Sequence, residues 1–240
     1  MPQFSPAERR ALEALARDLE RVTGPRLRSV VAYRGHQAHG PIHSCAIADA
    51  LTFQDLAACL PLVDTWHRHA LAVPLLLATG ELQRTLDAFP LEYAAIAADH
   101  LVLRGDDPFA SLAVAPADLR RACETQAKSQ VIHLREGFLE SHGEVRAIAR
   151  LIAQSAGPFR ALLTNLARLP TAGTQIDSRT LSDEALAAMA EQHLGVPAAL
   201  VRDVFAAEGP HASTVVDPSA LLLRYLDAAQ KIWAFVDGGR

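Results

Sequence analysis

Lysine is almost missing from this chain: of its 23 Lys and Arg residues, only Lys128 and Lys231 are lysines. With alanine abundant, that bias suggests a GC-rich coding background, so an isolated arginine is not read as a phosphate ligand. Cysteine is scarce as well. Cys45, Cys59 and Cys123 lie far apart with no Cys-x-x-Cys spacing, which argues against a disulfide framework or a zinc ribbon and leaves small core residues. No stretch approaches the roughly 20 uninterrupted apolar residues of a membrane span. The opening Met1-Pro-Gln-Phe-Ser-Pro6 has neither a basic start nor an apolar run, so a cytoplasmic protein with no membrane partner is expected. Positive charge is not in excess either. A formal net charge of −4 and a pI near 6.2 give no electrostatic reason to expect a general nucleic-acid binder.

What is present is apolar material in two kinds of pattern. Half of the 240 residues are hydrophobic, enough for one large core or two modest ones. Ser5-Pro6-Ala-Glu8 reads as an N-cap, a proline in the first turn and an acid at the positive helix end. Leu12, Leu15, Ala16, Leu19 and Val22 follow at helical spacing, predicting a helix over 6–22. Ser29 to Tyr33 and Ile42 to Leu51 read as buried strands around a glycine-bounded turn. Thr52 is placed to cap a helix reaching about His69, with Leu56, Cys59, Leu60, Val63 and Trp66 as its stripe. Ala72 to Leu77 reads as a third strand, Thr79 to Leu86 as a short helix, and residues 91–104 as one or two further strands.

After the turn cluster Gly105-Asp106-Asp107-Pro108 the period becomes helical. Leu119, Cys123, Ala127, Val131, Leu134 and Phe138 line one helix that stops at His142-Gly143. A second helix over 144–169 is expected to break or kink at Gly157-Pro158. Further segments start at 178–180 and Pro197, and Asp217-Pro218 caps a last helix through Val236. The expected fold is α/β (α+β): a mixed sheet domain over 1–113, then a helical bundle over 114–240.

The strand, turn and strand from Arg28 to Leu51 resemble the opening of polymerase-β-like nucleotidyltransferases, as found in bacterial stand-alone proteins of that superfamily. Tyr33-Arg34-Gly35-His36 stands where the family has aromatic-Gly-Ser, and Ser44-Cys45-Ala46-Ile47 where it has Ser-Asp-Ile-Asp. The likeness extends over about residues 7–170. It takes in Phe89-Pro-Leu-Glu-Tyr93, Leu103-Arg-Gly-Asp-Asp-Pro108 and the helix from Leu119 to Leu139. It implies a nucleotidyltransferase fold. Nucleotidyl transfer needs divalent cations held by carboxylates, and hard Mg²⁺ wants oxygen ligands. Cys45-Ala46-Ile47 offers none, so the resemblance implies a member without its catalytic apparatus. Mg²⁺ and a nucleoside triphosphate enter only if activity survives.

On that resemblance Glu92 and Asp49 are the remnant catalytic acids, and Arg34, Gly35 and His36 the positions that would hold a nucleotide or other small anion in a cleft between the domains. Each has a plain alternative: Glu92 hydrogen-bonded to neighbouring backbone or an arginine and fixing the domain interface, and Arg34 paired to Glu92 or Asp49 in a filled site. His36, His39 and His43, with Cys45, His67 and His69, concentrate borderline metal ligands, yet His-x2-His-x3-His matches no ligand pattern and no metal is assigned. Arg135 with His142 resembles, loosely, the arginine-histidine motif of helical ribonuclease toxins, against an ordinary helix-end histidine. Trp233 and Phe235 read as core at helical spacing with Leu222, Leu226 and Ala229, against an exposed partner-binding edge. Two other functions stay open: an active nucleotidyltransferase with unusual ligands, and an antitoxin-like or homodimeric interaction module.

Overall fold

A computed structural model describes residues 2–35, 40–169, 181–208 and 217–238. The chain divides into two compact units, Met1–Ala115 and Pro116–Arg240. The first is a four-stranded mixed sheet with helices on both faces, and the described part of the second is helical, so an α+β domain is followed by helices.

Helix α1 (Pro6–Thr23) begins where its capping chemistry begins. The Ser5 hydroxyl accepts from the Glu8 amide while the Glu8 carboxylate accepts from the Ser5 amide. Strand β1 (Leu27–Arg34) pairs antiparallel with β2 (Ile42–Ala48) on one side and β4 (His100–Gly105) on the other. The short β3 (Leu75–Ala78) runs parallel to β2, giving the order β3-β2-β1-β4. Alternation along the strands sorts the side chains. Val30, Ala32, Ile42 and Ala46 pack against α1, Trp66 and Leu71, while Val31, Cys45, Ile47 and Leu77 pack against Leu82, Tyr93, Ile96 and Phe109. Coverage on both faces is why β1 and β2 read as continuous apolar runs.

Two expectations need correction in this unit. The helix expected from Thr52 to His69 is interrupted: α2 (Phe53–Cys59), a 3₁₀ turn over Leu60–Leu62, then α3 (Val63–Arg68). Pro61 supplies no amide and crowds the preceding turn, so the stripe rotates. Cys59 and Trp66 are buried, while Leu60 is 71% exposed. The stretch 91–104 is mostly not strand. After the short α4 (Glu81–Arg84), Pro90 opens helix α5 (Pro90–Ala98), and only His100–Gly105 is extended. Pro90 sits where its fixed φ suits a first turn, and Ala94, Ala95, Ala97 and Ala98 are strong helix formers.

In the second unit α6 (Pro116–Glu140) buries Leu119, Cys123, Ala127, Val131 and Leu134, but Phe138, expected in the core, is 43% exposed. The chain leaves α6 through His142 and Gly143, both at positive φ. Of the break or kink expected at Gly157-Pro158, there is no break: helix α7 (Val145–Leu166) runs on through it. An interior proline costs about 3 kcal/mol. Phe159, Leu162 and Leu163 just beyond it are all buried, each worth about 1.5–3 kcal/mol, so packing outweighs it. The segment expected from 178–180 starts outside the described residues. Helices α8 (Asp183–Leu194), α9 (Ala198–Ala206) and α10 (Pro218–Asp237) complete the unit. Inside it Gln130 donates to the Tyr225 hydroxyl, which donates to the Ser155 carbonyl. Trp233 and Phe235 are only half-buried, and Ile232 and Val236 take the core positions instead.

Candidate functional site at the end of the central strands

The position of each candidate residue follows from strand parity. Tyr33 faces the Cys45 side of the sheet and stands opposite His43 on β2 and His100 on β4. Tyr33 and His43 stack with ring centroids 5.5 Å apart. Gly35 is glycine for a reason of space: a Cβ there would lie 2.8 Å from His43 Nε2. His100 Nδ1 donates to the Ile96 carbonyl at 2.8 Å, and Nε2 lies 2.9 Å from Asp107 Oδ1. Cys45 follows His43 on the same face, with Ile47 beyond it, both within the cluster built by Leu77, Leu82, Tyr93 and Ile96.

The shifted groups on this face are all held toward their neutral forms. Burial pushes the Cys45 thiol up to about 12, so it stays a thiol at neutral pH. Burial, then the neighbouring Cys45, Glu92 and Tyr93, push the Tyr33 hydroxyl up to about 12. Burial also lowers the His43 imidazole and keeps it neutral. Tyr93 is raised by burial, opposed by its 2.7 Å hydrogen bond with Thr85. Cys45, Tyr33 and Tyr93 are thus held toward their neutral forms, and none is an activated nucleophile.

Of the acids named from the sequence, Glu92 borders this face from a helix and Asp49 lies beyond the strand end. Glu92 is exposed in the first turn of α5, not on a strand, where a carboxylate suits the positive helix end. Asp49 lies just past the end of β2 and is taken by Arg28, whose Nε and Nη2 donate to its two oxygens at 2.6 and 2.5 Å. That hydrogen bonding holds the Asp49 carboxyl below its usual range. Next to it Arg26 forks onto Asp55 at 2.8 and 2.7 Å.

Arg34 turns to the opposite side from Tyr33. Its Nη2 donates to Glu8 Oε1 and Oε2 at 3.0 and 3.1 Å and to the Gln3 carbonyl at 3.2 Å, with the guanidinium 5.1 Å over the Phe4 ring. The partner is Glu8, not Glu92 or Asp49 as the sequence reading allowed. His36 and His39 lie outside the described residues. His43 is held by Tyr33, while His67 and His69 are exposed on α3 and just after it. Among the described residues, no three His, Cys, Asp or Glu side chains converge as a metal site. His100 is the member of the cross-strand row that the sequence reading missed, since 91–104 gave no register to align it with Tyr33.

No protein-family model matches the chain, and no curated protein matches it.

Proposed function

We propose that this protein is a nucleotidyltransferase-fold pseudoenzyme, bacterial in type, whose active-site positions have been converted into core. The observation that carries the reading is the burial of Cys45 and Ile47, 1% and 7% exposed, in an apolar cluster. Those are the positions at which the resemblance requires the paired carboxylates. A protonated thiol and an aliphatic side chain do not fit a pair of Mg²⁺ ions, which need oxygen ligands. Asp49 is neutralised by Arg28, and Glu92 sits on a helix end, so neither rebuilds the pair. The engagement of Arg34 by Glu8 favours a filled site over one that holds a nucleotide or other anion.

The test is direct. Incubated with each of the four nucleoside triphosphates and Mg²⁺ or Mn²⁺, the chain should release no pyrophosphate and label neither itself nor common acceptors. Metal-dependent release that vanished on Glu92→Gln or Asp49→Asn would overturn the proposal. A second reading, a homodimeric interaction module, is favoured by Phe53 and Leu60, 84% and 71% exposed in α2 and the turn after it. Sedimentation of the wild type against Phe53→Ser/Leu60→Ser tests it: a dimer that the double variant dissolves supports the module.

A further inference from the structure

His100 opens β4 just after the end of α5, and its ring stands between two groups that can only accept. Nδ1 lies 2.8 Å from the Ile96 carbonyl oxygen, and Nε2 lies 2.9 Å from Asp107 Oδ1. A neutral imidazole carries one N–H, so it donates to one of these oxygens and turns a lone pair on the other. Only the imidazolium donates to both. The His100 side chain is 10% exposed, so a lone pair set against an acceptor there is costly.

Both acceptors favour a positive ring. The Ile96 carbonyl is among the last of α5, left open by the helix and lying at its negative end. Asp107 is a carboxylate whose Oδ1 also accepts from the Phe109 amide at 2.9 Å. The titratable groups around the ring bring it no rival cation. Tyr33 faces it from β1, with the neutral His43 beyond on β2. Asp99 precedes it in the chain, Asp106 adjoins Asp107, and Glu92 borders Tyr33 from α5. Arg104, further along β4, is held by Glu13 and Glu20 of α1.

The turn that the ring fastens covers the Cys45 face. Phe109 is 4% exposed, stacks its ring 5.3 Å from that of His100, and packs in the cluster of Val31, Cys45, Tyr93 and Ile96. We propose that His100 is a pH-operated clasp, which as the imidazolium ties the end of α5 to the Asp107–Phe109 turn and as the neutral imidazole releases that turn. When the ring gives its proton to water, Nε2 and Oδ1 become two acceptors face to face. The Ile96 carbonyl is fixed in a helix end, whereas Asp107 is 35% exposed and can take water instead, so the turn is the side that lets go. The clasp is closed where a carboxyl is ionised and an imidazole protonated, between about pH 5 and 6 on their ordinary ranges, and it opens as pH rises and the ring deprotonates. This device does not rest on the nucleotidyltransferase reading.

Hydrogen exchange of the full chain at pH 5.5 and pH 8, corrected for the intrinsic pH dependence of exchange, reads the clasp. The reporters are the Phe109 and Leu112 amides, which are hydrogen-bonded within the turn, and α1 is the internal reference. Protection of the two amides should be about tenfold higher at pH 5.5, with α1 unchanged. Asp107→Asn should abolish the difference, because the asparagine amide can donate to the neutral Nε2 and hold the turn at both pH values. His100→Gln, which has no ring to titrate, should abolish it too and carries the comparison should Asp107→Asn not fold. Equal protection at the two pH values in wild type, a loss that α1 shares equally, or a difference that the variants keep overturns the proposal.

Discussion

Replacing Cys45 by aspartate would return an acid to the strand position where the resemblance requires one, and the structure sets the cost. Cys45 is 1% exposed among Val31, Ile47, Leu77, Tyr93 and Ile96. Burial moves its thiol from an ordinary 9.0 to about 12. At about 1.36 kcal/mol per pH unit, ionising a group at this spot costs roughly 4 kcal/mol more than in water. A carboxylate of similar size should meet a comparable penalty, so Cys45→Asp should lower the unfolding free energy at pH 7 by about 4 kcal/mol.

The sign with pH follows. The new carboxyl titrates higher in the folded chain than its unfolded value of about 3.9, so between about pH 4 and 7 the native state holds a proton that the unfolded state has released. The variant's stability relative to wild type therefore falls by up to about 1.4 kcal/mol per pH unit across that window and recovers toward pH 4. Urea unfolding followed by circular dichroism at pH 4.5, 6 and 7.5, each with and without millimolar Mg²⁺, measures it. A loss below about 1 kcal/mol at pH 7.5, or one that Mg²⁺ restores, would mean that oxygen ligands and water still reach this face, and the account of a filled site would fail.

Three further outcomes are expected. Arg34→Ala should change stability by no more than about 1 kcal/mol, because its pair with Glu8 is partly solvated, and it should leave any thermal response to nucleotides as it is in wild type. Asp55→Ala removes both the carboxylate half of the α2 capping box, which accepts from the Thr52 amide, and the fork from Arg26, and should cost about 2–4 kcal/mol at pH 7. Hydrogen bonding from Arg26 holds the Asp55 carboxyl below its usual range, so this contribution is complete above about pH 4. It is lost as pH falls through the folded value, and chemical unfolding of both chains at pH 7, 4 and 3 should show the gap closing. Gly105→Ala should lower the urea midpoint far more than Gly80→Ala. Both have positive φ, but a Cβ at 105 would lie 1.8 Å from the Arg28 carbonyl oxygen and one at 80 meets nothing within 4 Å. Equal losses would place the whole cost in backbone strain.

Local chemistry was legible in the residues alone. Ser5-Pro6-Ala-Glu8 and Asp217-Pro218 start helices where their side-chain oxygens can accept from free amides, because a cap involves residues three apart. The continuous apolar runs of β1 and β2 identified strands covered on both faces, since such strands have no polar side to alternate with. The same logic misled at 91–104, and the proline at Gly157-Pro158 does not break its helix. There the outcome turned on packing: Tyr93 and Ile96 bury from a helix, and three buried side chains carry α7 past its proline. That Cys45 and Ile47 carry no carboxylate was equally visible in one dimension, but that those positions are closed by Leu77, Leu82, Tyr93 and Ile96 was not. Charge pairing lay furthest from reach. Arg34 meets Glu8 across 26 positions and Arg160 meets Glu208 across 48. Coulombic attraction depends on separation in space and on local solvation, and only the folded chain supplies either.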